Sequence, residues 1–144
     1  SCVEWLENNK INVNTYYTCD DLKYLYRSGR VSRTGVTVAT VLNINPILNL
    51  DKEGHLIVRE KVRGQKRALK RIYEIVEELV VDPEKQKVYI CHSDCKDEEV
   101  KTFSETLISR IGFQDSFISY IGPTIGSHCG PGLIAAFFLG KPRF

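Results

Sequence analysis

The pattern of apolar and polar positions is clearest between Gln65 and about Val80. Apolar residues recur there every three or four positions, with charged residues on the opposite side, and this spacing is typical of an amphipathic helix. The residue before a proline is disfavoured in helical geometry, so Asp82-Pro83 ends the pattern. We therefore predict one long helix with a single buried side. Its apolar residues are Ala68, Leu69, Ile72, Ile75, Val76 and Leu79.

A second helical pattern follows, and we expect Asp94 or Asp97 to cap its first turn. Gly112 closes it, as glycine commonly does after a helix. The apolar side consists of Val100, Phe103, Leu107 and Ile111.

Short apolar or alternating runs predict strands between and after these helices. The predicted strands are Ile44–Leu50, His55–Val62, Lys87–Cys91, Phe117–Ile121 and Leu133–Leu139. A turn at Asp51–Gly54 makes the first two a hairpin. Pro46 suggests an edge strand or an irregular entry, because proline cannot donate to a ladder. Seven unbroken apolar residues in the last run favour a buried strand over a helix.

The pattern is weaker in the first third of the chain. Val3 to Leu6 forms a short amphipathic stretch, Asn12 to Thr18 alternates, and Leu22 to Tyr26 has helical spacing before Gly29. A further helix would start at Ser32 or Thr34 and reach Leu42, although its β-branched residues disfavour a helix. The mixture of strands and helices, with at least one hairpin, predicts an α/β layered sandwich with a mixed sheet.

Composition narrows the class of protein. The 144 residues are enough for one domain, and 42% hydrophobic with 26% charged residues is ordinary for a globular chain. A net charge of +2 is too balanced for a nucleic-acid-binding surface. No apolar run approaches the roughly 18 residues of a membrane span. We therefore expect no nucleic acid partner and no transmembrane segment.

Cysteine count and the chain start bear on location. Five cysteines at irregular spacing do not suggest a disulfide framework, and free thiols fit the cytoplasm. Ser1 to Lys10 has no apolar signal-peptide core. The chain contains no methionine, so we expect residues 1–144 to be part of a longer protein.

The segment Ile121–Gly132, which we expect to form a loop, is the strongest candidate for chemistry. It holds four glycines, two prolines and His128. Glycine lets backbone approach a ligand closely, so Gly130 and Gly132 are candidate ligand contacts beside a histidine that can donate to an anion. The alternative is a tight turn between strands with a solvated His128. The segment lacks the Lys-Ser/Thr of a phosphate-binding P-loop.

A basic stretch, Arg59–Arg67, lies where a strand leads into the long helix. Exposed backbone N–H groups and the helix dipole favour an anion at such a junction. Arg63 is the candidate there, because a guanidinium can hold a carboxylate with two hydrogen bonds. The alternative is a solvated basic surface.

Two other classes of function compete. Cys91, His92 and Cys95 could form a zinc-binding structural module, but adjacent strand residues point to opposite faces and a second ligand pair with finger spacing is missing. A small hydrolase or acyltransferase could use Cys129 or Ser127 with His128. No carboxylate or nucleophile elbow accompanies that pair, so no catalytic residue is assigned.

Five stretches in the same order along the chain together resemble the DegV family of bacterial fatty-acid-binding proteins. They are Leu22–Ser32, Leu42–Leu48, Lys61–Gly64, Tyr89–Asp94 and the segment Ile121–Gly132 with its Ile-Gly-Pro and His-Cys-Gly-Pro-Gly ends. The resemblance implies a two-domain protein of which residues 1–144 are the C-terminal α/β domain. Its N-terminal domain, absent from this chain, would supply Ser and Thr contacts to the fatty-acid carboxylate.

The resemblance also implies roles for residues of this chain. His128 and Arg63 match the family's ligand-end residues, and the ligand is a long-chain fatty acid, with no metal or cofactor and no catalysis by this chain. Some members present the fatty acid to a separate fatty acid kinase, which would be a partner. A buried acyl chain needs apolar neighbours, and the carboxylate must be paired when it leaves water. The apolar candidates beside the glycine-rich segment are Ile125, Leu133, Phe137 and Phe138.

Overall fold

A computed structural model describes residues 1–31 and 44–144. The helices are α1 (Cys2–Asn9), α2 (Lys23–Arg27), α3 (Gln65–Leu79), α4 (Asp97–Thr106) and α5 (Pro123–Cys129). The strands are β1 (Val13–Thr18), β2 (Ile44–Leu50), β3 (Leu56–Arg63), β4 (Lys87–Ser93), β5 (Asp115–Tyr120) and β6 (Leu133–Leu139). Short 3₁₀ turns occupy Lys10–Asn12 and Pro83–Lys85, and a π-helical turn extends α4 over Leu107–Ile111.

The six strands form one sheet in the order β3-β2-β1-β6-β4-β5. All neighbouring pairs are antiparallel except β4 and β5, which are parallel. A parallel pair requires a crossover connection, and α4 provides it. The predicted α/β fold with a mixed sheet is therefore confirmed.

Helices cover both faces of the sheet. The face under α3 and α4, which we call the long-helix face, holds the larger core. The face under α2 and α5, which we call the short-helix face, holds a smaller core made of Cys19, Leu22, Leu25, Leu48, Cys129, Leu133 and Ala135. Strand β6 serves both cores, because side chains alternate along a strand and successive residues face opposite ways.

The long helix forms as its pattern predicts. Helix α3 begins after Gly64, whose φ of 86° makes the sharp exit from β3. Its buried side is Ala68, Ile72, Ile75, Val76 and Leu79, and its last turn gives way to extended backbone at Val80. Burial of such a stripe stabilises the helix more than intrinsic propensity does.

The edge-strand alternative for Pro46 and the predicted cap of the second helix are both wrong. Strand β2 lies between β3 and β1, so Pro46 is not on an edge strand. On β2, only Leu48 and Asn49 pair with β1, so Pro46 lies outside that ladder. The missing N–H of proline therefore costs no hydrogen bond to β1. The N-cap of α4 is Lys96, with Asp97 as the first helical residue, so neither aspartate caps it. The acidic first turn still complements the helix dipole.

The other elements match their predicted positions within a few residues, and β2 and β6 match in full. The predicted helix that starts at Ser32 or Thr34 lies outside the described residues. Within the described ranges, none of the helices combines the length and the apolar character that crossing a bilayer requires.

Candidate functional site

One edge of the sheet collects the predicted site residues. Strands β1, β3, β4 and β5 end at this edge, while β2 and β6 begin there, as the pairing of Thr18 with Ile134 and of Ser93 with Leu133 shows. We call it the carboxyl edge. Ligands of α/β proteins commonly bind beside the carboxyl ends of strands, because loops converge there.

The glycine-rich segment at this edge was predicted as a loop, and most of it is helical. Gly122 is the N-cap of α5, Pro123 occupies its first position, and Gly130 with φ of 73° ends it. Proline suits the first turn, because its missing N–H has no helical partner there. His128 lies in the last turn and is half-buried. It therefore sits on a fixed element instead of a free loop.

Gly130 and Gly132 permit close contacts within the chain itself. A Cβ on Gly130 would overlap the ring of Tyr24, and a Cβ on Gly132 would overlap the carboxylate of Asp20. Both residues have positive φ, at 73° and 80°. The close approach that these glycines allow is thus toward α2 and the segment before it. Contact with a ligand at Gly130 and Gly132 stays a prediction.

Ser93 holds this turn in place, and sequence reasoning did not single it out. Its hydroxyl donates to the carbonyl of Gly130 and accepts from the amide of Leu133 at 3.2 Å. Its carbonyl accepts from the amide of Gly132 at 2.6 Å. The end of β4 therefore fixes the connection between α5 and β6. The signal was the Tyr89–Asp94 stretch, which marked the region without indicating a contact.

Arg63 is placed at the same edge but not beside His128. It is the exposed last residue of β3, three strands from β6 in the sheet order. At about 4.8 Å per strand this separates the Arg63 backbone from β6 by about 14 Å. Val62 packs on the long-helix core, so alternation directs Arg63 to the short-helix face, where α5 lies. Its position permits a long-range charge effect on His128.

The predicted acyl-chain residues divide between two faces. Leu133 belongs to the short-helix core and half-buried Phe137 packs against it. Phe138 faces the other way, into the long-helix core, where it packs beside Tyr16 and Phe113. The Phe138 ring therefore lies on the other face from Leu133 and Phe137, although Phe138 also borders an apolar groove beyond Phe137. Ile125 lies on α5 and is 57% exposed.

An apolar groove opens on the short-helix face beyond Phe137. Its volume is about 370 Å³, and its walls include Trp5, Val13, Tyr89 and Leu139. Trp5, Val13 and Tyr89 are exposed. Leu133, Ala135 and Phe137 thus form a row along β6 that leads from the turn after His128 to this groove.

A larger cavity lies on the other side of the carboxyl edge, near the starts of α3 and α4. Its volume is about 520 Å³, and Gly132 lines it together with Asp20, Asp94, Glu98 and Glu99. Partial burial and the neighbouring Asp21 raise the pKa of Asp20. Four acidic side chains, against two lysines, make this cavity unfavourable for a carboxylate ligand.

Burial is the main influence on the pKa values of Cys19 and Tyr17, on the short-helix face. It raises the pKa of the Cys19 thiol to about 12 and raises the pKa of Tyr17 as well. Both shifts disfavour the charged form, as expected where water is excluded. Water is therefore largely excluded around Tyr17 and Cys19, on the sheet surface that the short helices cover.

The zinc hypothesis has little support from the geometry. The thiol of Cys91 lies 3.4 Å from the hydroxyl of Ser119, and the thiol of Cys95 donates to the carbonyl of Leu133 at 3.2 Å. Burial raises the pKa of Cys95 to about 11, which opposes the thiolate form that zinc requires. In residues 1–31 and 44–144, Cys91, His92 and Cys95 do not bring their donor atoms together.

The donor atoms of Asp51, Glu53 and His55 do lie within 4.8 Å of one another. They occupy the β2–β3 turn, which lies at the opposite ends of the strands from the carboxyl edge. One Asp51 oxygen accepts from the amides of Glu53 and His55, at 3.0 and 2.8 Å, so an ordinary aspartate turn accounts for the arrangement.

The hydrolase hypothesis needs an activated nucleophile near His128. Burial raises the pKa of Cys129, which is the opposite of what a reactive thiolate requires. The hydroxyl of Ser127 donates to the carbonyl of Thr124 at 2.8 Å, one turn back in α5. Neither side chain is arranged for attack.

Comparisons with known proteins agree with the fold. A family model described as an uncharacterised protein of the DegV family matches residues 1–141. A DegV domain-containing protein of Clostridium perfringens is 39% identical over 139 residues, which are 96% of this chain and 47% of that protein. The chain spans about half the length of the curated relatives it matches.

Two solved structures are similar over nearly the whole chain. A DegV family protein from Ruminococcus gnavus, whose structure contains vaccenic acid, has a TM-score of 0.81 at 30% identity, covering 94% of this chain and 48% of that one. A fatty acid binding DegV family protein from Streptococcus agalactiae has a TM-score of 0.80 at 31% identity, covering 96% and 48%.

Proposed function

The chain belongs to the DegV family, and from this premise we propose that the protein binds one long-chain fatty acid as a carrier, without catalysing a reaction on it. The observation that carries the proposal is the β6 row, Leu133, Ala135 and Phe137, which joins the His128 turn to an open apolar groove. The fatty-acid ligands of the similar proteins from R. gnavus and S. agalactiae support it.

The carboxylate is proposed to lie at the carboxyl edge, near His128. An imidazole N–H can donate to a carboxylate in either tautomer, so the histidine need not be charged. Arg63 would supply permanent positive charge from about 14 Å along the edge, screened in part by solvent. Gly130 and Gly132 are proposed to let the carboxylate approach the backbone closely, while their amides donate to the carbonyls of Gly126 and Ser93.

The acyl chain is proposed to follow the short-helix face from Ile125 and Leu133 to Phe137. About 15 methylenes of a palmitate-like chain contribute about 0.8 kcal/mol each on burial, a gross gain near 12 kcal/mol before the costs of association. Phe138, on the other face, is left out of this path because it completes a different core.

The remaining parts of the proposal concern the longer protein. The resemblance supports residues 1–144 as the C-terminal half, with Ser and Thr of an N-terminal domain completing the carboxylate site. It also supports a fatty acid kinase as partner. Five free thiols support a cytoplasmic location.

Native mass spectrometry of the full-length protein tests the proposal. The expected spectrum shows the added mass of one acyl chain, either co-purified or taken up from added oleate or palmitate. A protein mass without ligand that stays unchanged after incubation with both fatty acids would refute it.

A further inference from the structure

In the part of the chain that the structure describes, the outer edge of β5 is unprotected. Strand β5 ends the sheet order, and none of the other described strands pairs with its outer side. It exposes Phe117, Ile118 and Tyr120, at 57%, 42% and 74%. An exposed, apolar edge strand offers its unpaired amides and carbonyls to another strand.

The other edge strand of the sheet, β3, differs from β5. Strand β3 carries Arg59, Glu60, Lys61 and Arg63, and its pairing with β2 is broken by a register shift between Ile47 and Leu48. Charges and bulges are the usual protection of an edge against pairing. From Ser116 to Tyr120, β5 has no charge and no proline, and its register with β4 is unbroken.

The backbone groups of β5 that face outward can be identified. The amide of Ile121 donates to the carbonyl of His92 on β4 at 2.9 Å. Amide and carbonyl groups alternate in direction from one strand residue to the next. Phe117 and Ser119 therefore bond toward β4, while Ser116, Ile118 and Tyr120 direct theirs to the open side. There the Ser116 amide donates to the Asp115 carboxylate at 2.8 Å, a contact that pairing with another strand would replace.

We propose that two copies of this chain pair through β5, antiparallel, about a two-fold axis at Ile118. This register opposes Ser116 to Tyr120 of the second copy and Ile118 to its counterpart. All three outward residues then form hydrogen-bonded pairs, and each such pair exchanges two bonds. An interface of this kind is self-complementary, so a second copy satisfies it without any further partner.

Charge favours the same register. Asp115 is the charged residue of β5, and it would lie opposite Ile121 of the second copy instead of another aspartate. Like charges opposite each other destabilise a strand pair, and this alignment avoids them. On the two faces, Ile118 would meet its counterpart, and Phe117, which packs against Tyr89 at 5.9 Å between ring centroids, would meet Ser119.

Sedimentation of the full-length protein and its Ile118→Lys variant tests the pairing. We expect a concentration-dependent dimer for the natural protein and at least a tenfold weaker association for the variant. Val3→Lys, on exposed α1, is the matched control and should associate normally. A natural protein that stays monomeric up to about 0.1 mM overturns the proposal. If the amides of Ile118 and Tyr120 in that monomer are nevertheless protected from hydrogen exchange, another part of the same protein covers the edge.

Cysteine cross-linking tests the register without depending on dimer strength. Directly opposed residues in a hydrogen-bonded pair have Cα atoms about 5.5 Å apart, within the range of a disulfide. Ile118→Cys should therefore cross-link readily on oxidation, in a background with exposed Cys2 changed to Ser. Ser116→Cys should not, because four residues of offset separate its two copies by roughly 14 Å. Equal cross-linking of both variants overturns the register.

Discussion

At the scale of single residues, the candidate site depends on where His128 is held. The last turn of α5 positions it, Gly130 ends that turn, and Ser93 fixes the backbone that follows. Within residues 1–31 and 44–144, the His128 side chain makes no hydrogen bond that would stabilise the fold. Its exposed surface at the carboxyl edge is therefore open to a ligand.

Replacing His128 with Ala should weaken fatty-acid binding by the full-length protein. A hydrogen bond to a charged group contributes about 1.5–3 kcal/mol, which corresponds to roughly 10- to 150-fold in affinity. Titration with a fluorescent fatty acid measures the loss, and His55→Ala in the distant β2–β3 turn is the matched control.

Thermal melts accompany these titrations. The melting temperature should change little, because a half-buried histidine contributes little to either core. Arg63→Ala should weaken binding less than His128→Ala, given its distance. If the His128→Ala protein melts much earlier and its folded fraction binds normally, the histidine is structural and the site assignment is wrong.

Replacing Gly130 with Ala should destabilise the fold. The new Cβ would come within 3.0 Å of the Tyr24 ring, at a φ of 73° that disfavours any side chain. Gly54→Ala is the control, since φ there is 88° but no atom lies within 4 Å. We expect a loss above about 1 kcal/mol for both from backbone strain, and a larger loss at Gly130 from the overlap. Urea denaturation that gives equal losses would exclude the Tyr24 contact as the reason for glycine.

At the scale of elements, the spacing of apolar residues predicted the helices and strands that bury a regular row of side chains. Alternation and apolar spacing placed α3, α4, β2 and β6, because each buries a regular stripe or run. The same rules missed α5, whose seven residues include a proline and a glycine and too few apolar positions to show a period. The segment's high glycine content favoured a loop, although Pro123 and Gly130 stand where a short helix begins and ends.

The arrangement of the site was less predictable than its location. The order of motifs along the chain indicated His128, Gly130 and Gly132. The Ser93 hydroxyl bond and the Asp20 and Tyr24 contacts join segments far apart in sequence, and no local pattern encodes them. The apolar run beside the glycine-rich segment predicted both Phe137 and Phe138 on the acyl path, but neighbours on a strand face opposite ways.

The pairing of α3 with β3 predicts a pH dependence of stability. Arg71 donates to both carboxylate oxygens of Glu60, and this holds the pKa of Glu60 below its ordinary value of 4.5. A lowered acid pKa stabilises the fold above pH 4.5, and the contribution is lost as pH falls through the folded-state value. Arg71→Gln should therefore lower the urea midpoint at pH 7 but much less at pH 3.

Controls for this pH dependence come from the same pair of elements. Glu60→Gln should reproduce the pattern of Arg71→Gln, and Arg67→Gln, at an exposed position on α3, should not. An Arg71→Gln deficit of equal size at pH 7 and pH 3 would contradict the proposed ion pair.

At the scale of the whole molecule, the two faces of the sheet differ in the cores that they hold. The long-helix face holds the larger core, and the short-helix face combines a smaller core with an open apolar groove. The larger part of the core and the proposed ligand path therefore lie on different sides of one sheet.

Residues 1–144 alone should bind fatty acid more weakly than the full-length protein. The proposed Ser and Thr contacts from the other half would be missing, and each unsatisfied contact costs about 1–3 kcal/mol, roughly 5- to 150-fold in affinity. Parallel fluorescent fatty-acid titrations measure the difference, with circular dichroism to establish that the shorter chain is folded. Equal affinities would contradict the shared site.

The position of the bound acyl chain tests the account most directly. A crystal of the full-length protein grown with a fatty acid brominated at its last carbon would locate the bromine by anomalous scattering. We expect the bromine on the short-helix face near Phe137 and the groove with Trp5 and Tyr89, and the carboxylate within hydrogen-bond distance of His128. A bromine on the long-helix face, or a carboxylate remote from His128, would contradict the proposed site.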